Sequence, residues 1–279
     1  MSLLAADLRA FFAAALKEVR QQRRYPTLFL GQLFWPALLP ASWVLMGRAY
    51  SGNDPQALAA FAERAGSSDV TVFVFVGYAM YNWLSALLWG AGTALRQEQL
   101  RGTLEAVFVT PASRLVPLFG PGVGTLLPMA LTFASNLLAL RIFFGIFPPV
   151  AAVIQAAVIV VLGIPALYAI GALFAASVLR FGEVAPVVQL IRGMFVLACG
   201  ITFPVAMLPL WAQISAKLMA PTYIVDDLRA VLLRGETVAD VAGDIAIVLS
   251  LAAVTAILAV TVFGYLERSA RRTGMLGRF

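Results

Sequence analysis

Residues 150–179 read VAAVIQAAVIVVLGIPALYAIGALFAASVL, 30 consecutive positions without one charged side chain. A run of about 20 such residues is enough to carry a helix across the hydrocarbon of a bilayer. In that medium each backbone amide must find its partner within its own segment, so the run reads as a helix and the chain as an all-α membrane protein. The remainder has the same character, with 61% hydrophobic residues, 12% charged residues and a mean hydropathy of +0.90 over 279 residues. A water-soluble domain of this length must cover its surface with more polar residues than that.

Working outward from that segment, the same criterion places further spans at 27–46, 70–94, 115–140, 184–204 and 241–266, six crossings with 150–179 included. An even number brings both termini to one side, and the distribution of Arg and Lys decides which. The terminal side collects 14 of the 20 basic residues against six acids, the opposite side six basic residues against eight acids. Both termini are therefore expected in the cytoplasm, with the chain a multi-pass protein of a bacterial-type inner membrane.

The expected organisation has three parts: an amphipathic interface helix over 1–26, one transmembrane domain over 27–266 and a basic tail over 267–279. At the N-terminus, Leu4, Leu8, Phe11, Phe12, Ala15, Leu16 and Val19 recur at helical spacing, while Asp7, Arg9, Lys17 and Glu18 interrupt what a cleaved leader would keep apolar. Between the fifth and sixth spans, Pro209 and Pro221 break a segment still too apolar for a free loop. Its Leu208, Leu210, Trp211, Ile214, Leu218 and Met219 suggest short external helices re-entering the bilayer over about 205–235. Asp226 and Asp227 are expected at the start of a further short helix ending near Gly235, with Thr237 and Asp240 as a capping pair before the last span.

Several chemistries are excluded by what the sequence lacks. There is no histidine, hence no histidine general base or ligand, and the single cysteine, Cys199, sits among Leu197, Ala198, Gly200 and Ile201 as a small packed residue. A phosphate-binding loop needs a lysine after glycine, whereas the two lysines, Lys17 and Lys217, follow Leu16 and Ala216. No catalytic residue, metal ligand, nucleotide site or nucleic-acid partner is expected. Polar residues within the spans are the remaining candidates, because they are costly in lipid and mark either a pathway or hydrogen bonds between helices. Of Gln32, Asn82, Asn136, Gln155, Gln189 and Arg192, the candidate pathway residues are Asn82, Asn136, Gln189 and Arg192. Arg192 can snorkel to the interface or bind an anionic group. Gly120 to Gly124, interrupted by Pro121, reads as a packing notch or a kink, and Trp35, Trp43, Trp83, Trp89 and Trp211 as an interfacial belt.

One charged island stands between the second and third spans: Arg96, Gln97, Glu98, Gln99, Leu100, Arg101, Gly102, Thr103, Leu104 and Glu105, continuing to Thr110 and Pro111. Glu98 with Arg101 and Arg101 with Glu105 can pair along a helical face, Gly102 breaks the run, and Thr103 can cap a short helix whose apolar face is Leu104, Val107 and Phe108. Such a stub on the membrane surface suits a soluble partner.

The island resembles the coupling segment of the ABC-2 type permease family, membrane subunits of ATP-binding-cassette exporters. The matching residues are Glu98, the run Gly102-Thr103-Leu104-Glu105 and Thr110-Pro111, together with Gly200-Ile201-Thr202-Phe203-Pro204, Leu208-Pro209, Pro221-Thr222-Tyr223, Asp227-Leu228-Arg229 and Leu233-Arg234-Gly235. The resemblance implies a half-permease paired with an identical or sibling permease chain in the lipid, each copy seated on a separate ATP-binding subunit that holds ATP and Mg. It implies a coupling helix at about 102–110, with Glu98, Arg101, Gly102, Thr103, Leu104, Glu105 and Phe108 contacting the ATPase. The cargo it implies is hydrophobic or amphipathic, such as a drug, lipid or lipid-linked molecule; polysaccharide and ion exporters share the architecture. An ion-coupled secondary carrier is the rival from another class, and it would need acidic relays inside the spans, whereas every acid here falls at or beyond a span end.

Overall fold

The computed structural model describes residues 26–51, 54–67, 69–100, 126–181 and 184–273, with single helical positions at 13, 16, 20 and 24. The described chain is all helical: α1 (Pro26–Ser51), α2 (Pro55–Ala65), α3 (Val70–Leu100), α4 (Leu126–Phe144), α5 (Val150–Phe181), α6 (Val184–Ala198), α7 (Leu210–Ala216), α8 (Ala220–Arg229, prolonged by a π turn, Ala230–Arg234) and α9 (Ala242–Thr273). Three of these are long and apolar enough to cross a membrane, over Val70–Gly90, Val150–Ser177 and Ala242–Leu266. Pro128–Phe144 and Ala185–Ala198 are shorter apolar helices on two other expected spans, and α1 covers the first. The island from Arg101 onward, the glycine–proline notch at 120–124 and the end of the basic tail lie outside the described residues.

The centre of the bundle is α3, which packs against α1, α4, α5, α6 and α8. Met80, Trp83, Leu84, Leu87 and Leu88 follow helical spacing and are each at most 1% exposed. Trp83 therefore belongs to the core, edge-on to Phe133 with ring centroids 6.0 Å apart, and not to an interfacial belt. Trp35, Trp43 and Trp211 do face outward, as expected. Elsewhere the outer surface is apolar: Ile142 on α4, Ile154 on α5 and Val254 and Ile257 on α9 are all exposed, which suits lipid and not water as the surrounding solvent. α9 lies along α5, and only 17% of its spanning window is buried.

Two boundaries differ from the sequence reading. The fifth apolar run stops being helical at Ala198, before the expected Pro204, because Gly200 turns into the left-handed region at φ +68°, where a Cβ would stand 2.7 Å from Val205 Cγ2. The helix expected to begin at Asp226 begins at Ala220 instead. Pro221 occupies its first turn, where the missing N–H costs nothing, so the two aspartates fall in its later turns. Its C-terminal end is as expected, with Gly235 at φ +71°. The Thr237 amide and hydroxyl both donate to Asp240 Oδ2, at 2.8 and 2.7 Å, which closes the expected capping pair and holds that carboxylate below its usual range.

Candidate functional site

The segment from Cys199 to Asp240 folds back on the bundle and carries the two charged side chains that are buried among the described residues, Asp227 and Arg229. After the break at Gly200, a 3₁₀ turn (Val205–Met207) and α7 leave Leu210, Trp211, Ile214 and Leu218 exposed. α8 then turns inward, burying Ala220, Pro221, Ile224, Val225 and Leu228 against α5, α9 and α3. Gly163 on α5 admits the Ile224 side chain, whose Cδ1 would lie 2.9 Å from an added Cβ. Gln155, expected as a polar residue inside the fourth span, accepts from the Val238 amide at 2.9 Å and so ties α5 to the entry of α9.

Arg229 is the anchor of this hairpin and is 4% exposed. Its Nη1 donates to Gly200 O at 2.7 Å, and its Nη2 to Phe73 O and Ile201 O, each at 3.0 Å. The guanidinium carbon lies 3.3 Å from the centroid of the Phe73 ring. Arg229 thus joins three elements, α8, the break after α6 and the first turn of α3, through two carbonyls of the non-helical break and one within α3. Close approach is possible because position 77 is glycine: a Cβ there would meet Ile201 O at 1.8 Å. No carboxylate pairs with this guanidinium among the described residues, and burial lowers its pKa to about 9.

Asp227, two residues earlier, points away from Arg229 on the opposite side of α8 and is 1% exposed. Its Oδ2 has no hydrogen-bond partner. Burial first, then the neighbouring charges of Asp244 and Asp226, raise its pKa to about 7. Asp226 stays at the surface, where Arg234 bridges it at 3.3 Å and Glu236 at 2.7 Å around the Gly235 turn. Arg229 and Asp227 are the residues that charge counting misses, since it places both on the external side of the membrane, Asp227 at the start of a short helix. The signal was present in the register: Arg229 follows Pro221 and Val225 at intervals of eight and four, which places it on the apolar face of the helix.

The four candidate pathway residues do not converge. Asn82 donates to its own helix at Tyr78 O, 2.9 Å away. Arg192 donates to the Tyr81 hydroxyl, sits over that ring at 4.8 Å, and reaches Gln189 Oε1 at 3.3 Å, so it cross-links α6 to α3 within the chain. Tyr78 and Tyr81 are edge-on to each other beside this cross-link, while Asn82 reaches only the Tyr78 backbone. Asn136 is separate. It lies on α4, donates to Thr132 O at 2.8 Å, and lines an apolar groove of about 380 Å³ between α3, α4, α5 and α8.

No protein-family model and no curated protein matches the chain. Of the island, Glu98 lies in the last turn of α3 and Arg101, Gly102, Thr103, Leu104, Glu105 and Phe108 lie outside the described residues. Cys199 is buried beside Met219, its thiol 3.5 Å from the thioether, which makes it a packing residue. Among the described residues no group of three His, Cys, Asp or Glu gathers to hold a metal ion.

Proposed function

We propose that the chain is the permease subunit of an ABC-2 type exporter, working in a bacterial-type inner membrane with both termini in the cytoplasm. A second permease chain, identical or sibling, completes the pathway, and a separate subunit binds and hydrolyses ATP. The observation that carries this reading is the anchored hairpin: an apolar segment broken after α6, folded back, and fastened by Arg229 to the first turn of α3. α3 is one unbroken helix from that anchor to Leu100, inside the charged island that begins at Arg96. A pull on the island by a nucleotide-driven partner would tilt α3 and load the hairpin, biasing one packing of the bundle against another. The low charge of the spans favours a hydrophobic or amphipathic cargo over a strongly polar one.

The test is co-purification and transport. Tagged chain should retain an ATP-binding-cassette subunit, and Glu98→Ala or Glu105→Ala should weaken that retention and ATP-dependent movement of a lipophilic dye in vesicles while membrane insertion stays intact. Unchanged retention and unchanged movement in both variants would overturn the coupling role. A second reading draws on Asp227, a buried carboxyl that titrates near neutrality, as a proton-coupled carrier would require. Dye movement driven by a pH gradient with no nucleotide, and lost in Asp227→Asn, would favour that carrier over the exporter.

A further inference from the structure

The groove between α4 and α5 has no part in that reading, and its two ends differ. Its floor is α3, at Phe75, Val76 and Ala79, and its walls are almost wholly apolar. Ala134 on one wall and Ala157 and Val161 on the other are exposed, Val161 to 60%, so the groove opens sideways onto the surface that faces lipid. One end is rimmed by two arginines. Arg141 follows the lining residue Leu140 and stacks on Phe147 at 4.1 Å, one residue before the lining Pro148. Arg48, in the last turn of α1, stacks on Phe144 at 5.0 Å, and Phe144 meets the lining Phe75 edge-on at 5.6 Å. Apart from the Arg48 bond to Thr71 Oγ1 at 3.0 Å, neither guanidinium has a polar partner among the described residues, and both are exposed. An apolar slot open to the bilayer, closed at its water-facing end by two cations without carboxylates, matches the two halves of an anionic lipid.

We propose that this groove holds an acyl chain of an anionic phospholipid, whose phosphate is bound by Arg141 and Arg48. The proposal rests on the chain being embedded in a bilayer and not on export. It can therefore fail while the exporter reading stands, and the reverse. The volume of about 380 Å³ is that of a groove for a hydrocarbon tail, and the aromatic rings under each guanidinium hold the two charges at the rim instead of letting them swing into solvent.

The full chain, purified in detergent, can be examined by native mass spectrometry with phosphatidylglycerol, with phosphatidylcholine of the same acyl chains, and with glycerol phosphate, which has the anionic headgroup and no tail. Phosphatidylglycerol should be retained about fivefold or more over phosphatidylcholine, and Arg141→Gln should reduce that preference by about fivefold, the attraction one basic side chain has for an anionic lipid. Ala157→Phe, which fills the groove and leaves both arginines in place, should lower the retention of phosphatidylglycerol. Val161→Trp, at the open edge, gives the same test if Ala157→Phe does not fold. Equal retention of the two lipids by the unaltered chain would overturn the anionic headgroup. Undiminished phosphatidylglycerol binding in the folded groove-filled variant would overturn the acyl slot. Competition by glycerol phosphate as strong as by the lipid would make this a free-phosphate site, and conversion of dimers to monomers by Ala157→Phe would make the groove a seat for a second copy; either result refutes the lipid.

Discussion

The two sides of α3 meet their neighbours in opposite ways. Toward the hairpin, the contact is closed: Gly77 lets a backbone carbonyl in, and Arg229 fills the interface with directed hydrogen bonds. Toward α4 and α5, apolar side chains leave about 380 Å³ open. Directed polar contacts have one good geometry and lose their whole value when displaced, whereas dispersion contacts across an open groove change gradually. The closed side is built to hold one arrangement and the open side to accommodate different occupants.

Substitution should expose that contrast in order of size. Gly77→Val should be the most damaging, because even a Cβ would overlap Ile201 O; loss of the folded species in detergent, or a cost of more than about 3 kcal/mol, is expected. A melting curve like that of the unaltered chain would show that the hairpin is not seated on α3. Arg229→Met removes donors from three buried carbonyls and should cost about 3 kcal/mol, since each unpaired buried group costs about 1–3 kcal/mol. Arg229→Lys should recover only part of this, as an ammonium cannot reproduce the planar fork.

Asp227 gives a pH test of the same side. Its carboxyl binds a proton more tightly in the folded chain, with a pKa of about 7, than in the unfolded one, near its ordinary 3.8. Between those values the folded state holds more protons, so stability falls as pH rises from about 4 to about 7 and is level above that. Asp227→Asn should remove this slope and stabilise the chain at pH 8 by a few kcal/mol, because the amide carries no charge into the buried site. A thermal midpoint with the same pH dependence in both proteins would mean that Asp227 is solvated. On the open side, Ala157→Leu should change stability by no more than about 0.5 kcal/mol, because the added methyl groups enter existing space. A large loss there would make the groove as tightly packed as the hairpin.

Much of this arrangement was legible in the residues. Periodicity and hydropathy locate α3, α5 and α9 to within a few positions at the ends of their apolar runs, and the capping pair at Thr237 and Asp240 follows from residue type and spacing. What stayed hidden depends on neighbours distant in sequence. Arg229 bonds to Phe73, 156 residues away, and nothing local to either announces it. Trp83 looked interfacial because hydropathy treats tryptophan as amphipathic, while its burial is decided by Phe133 on another helix. The groove is a property of the space between helices, and helix faces alone do not reveal it. Arg192, expected to snorkel to the interface or to bind an anionic group, donates to the Tyr81 hydroxyl.

The bond between Arg229 and Phe73 has a mechanical corollary. From Phe73 to Leu100 runs a proline-free helical rod whose length, at 1.5 Å per residue, is about 40 Å. Pivoting such a rod by roughly 5° swings its far tip by about 3–4 Å, more than the span of any hydrogen bond. With the pivot at the Arg229 anchor, a displacement of that size at the Leu100 end reaches the guanidinium only as a turn of a few degrees, so the latch stays closed while the far end moves.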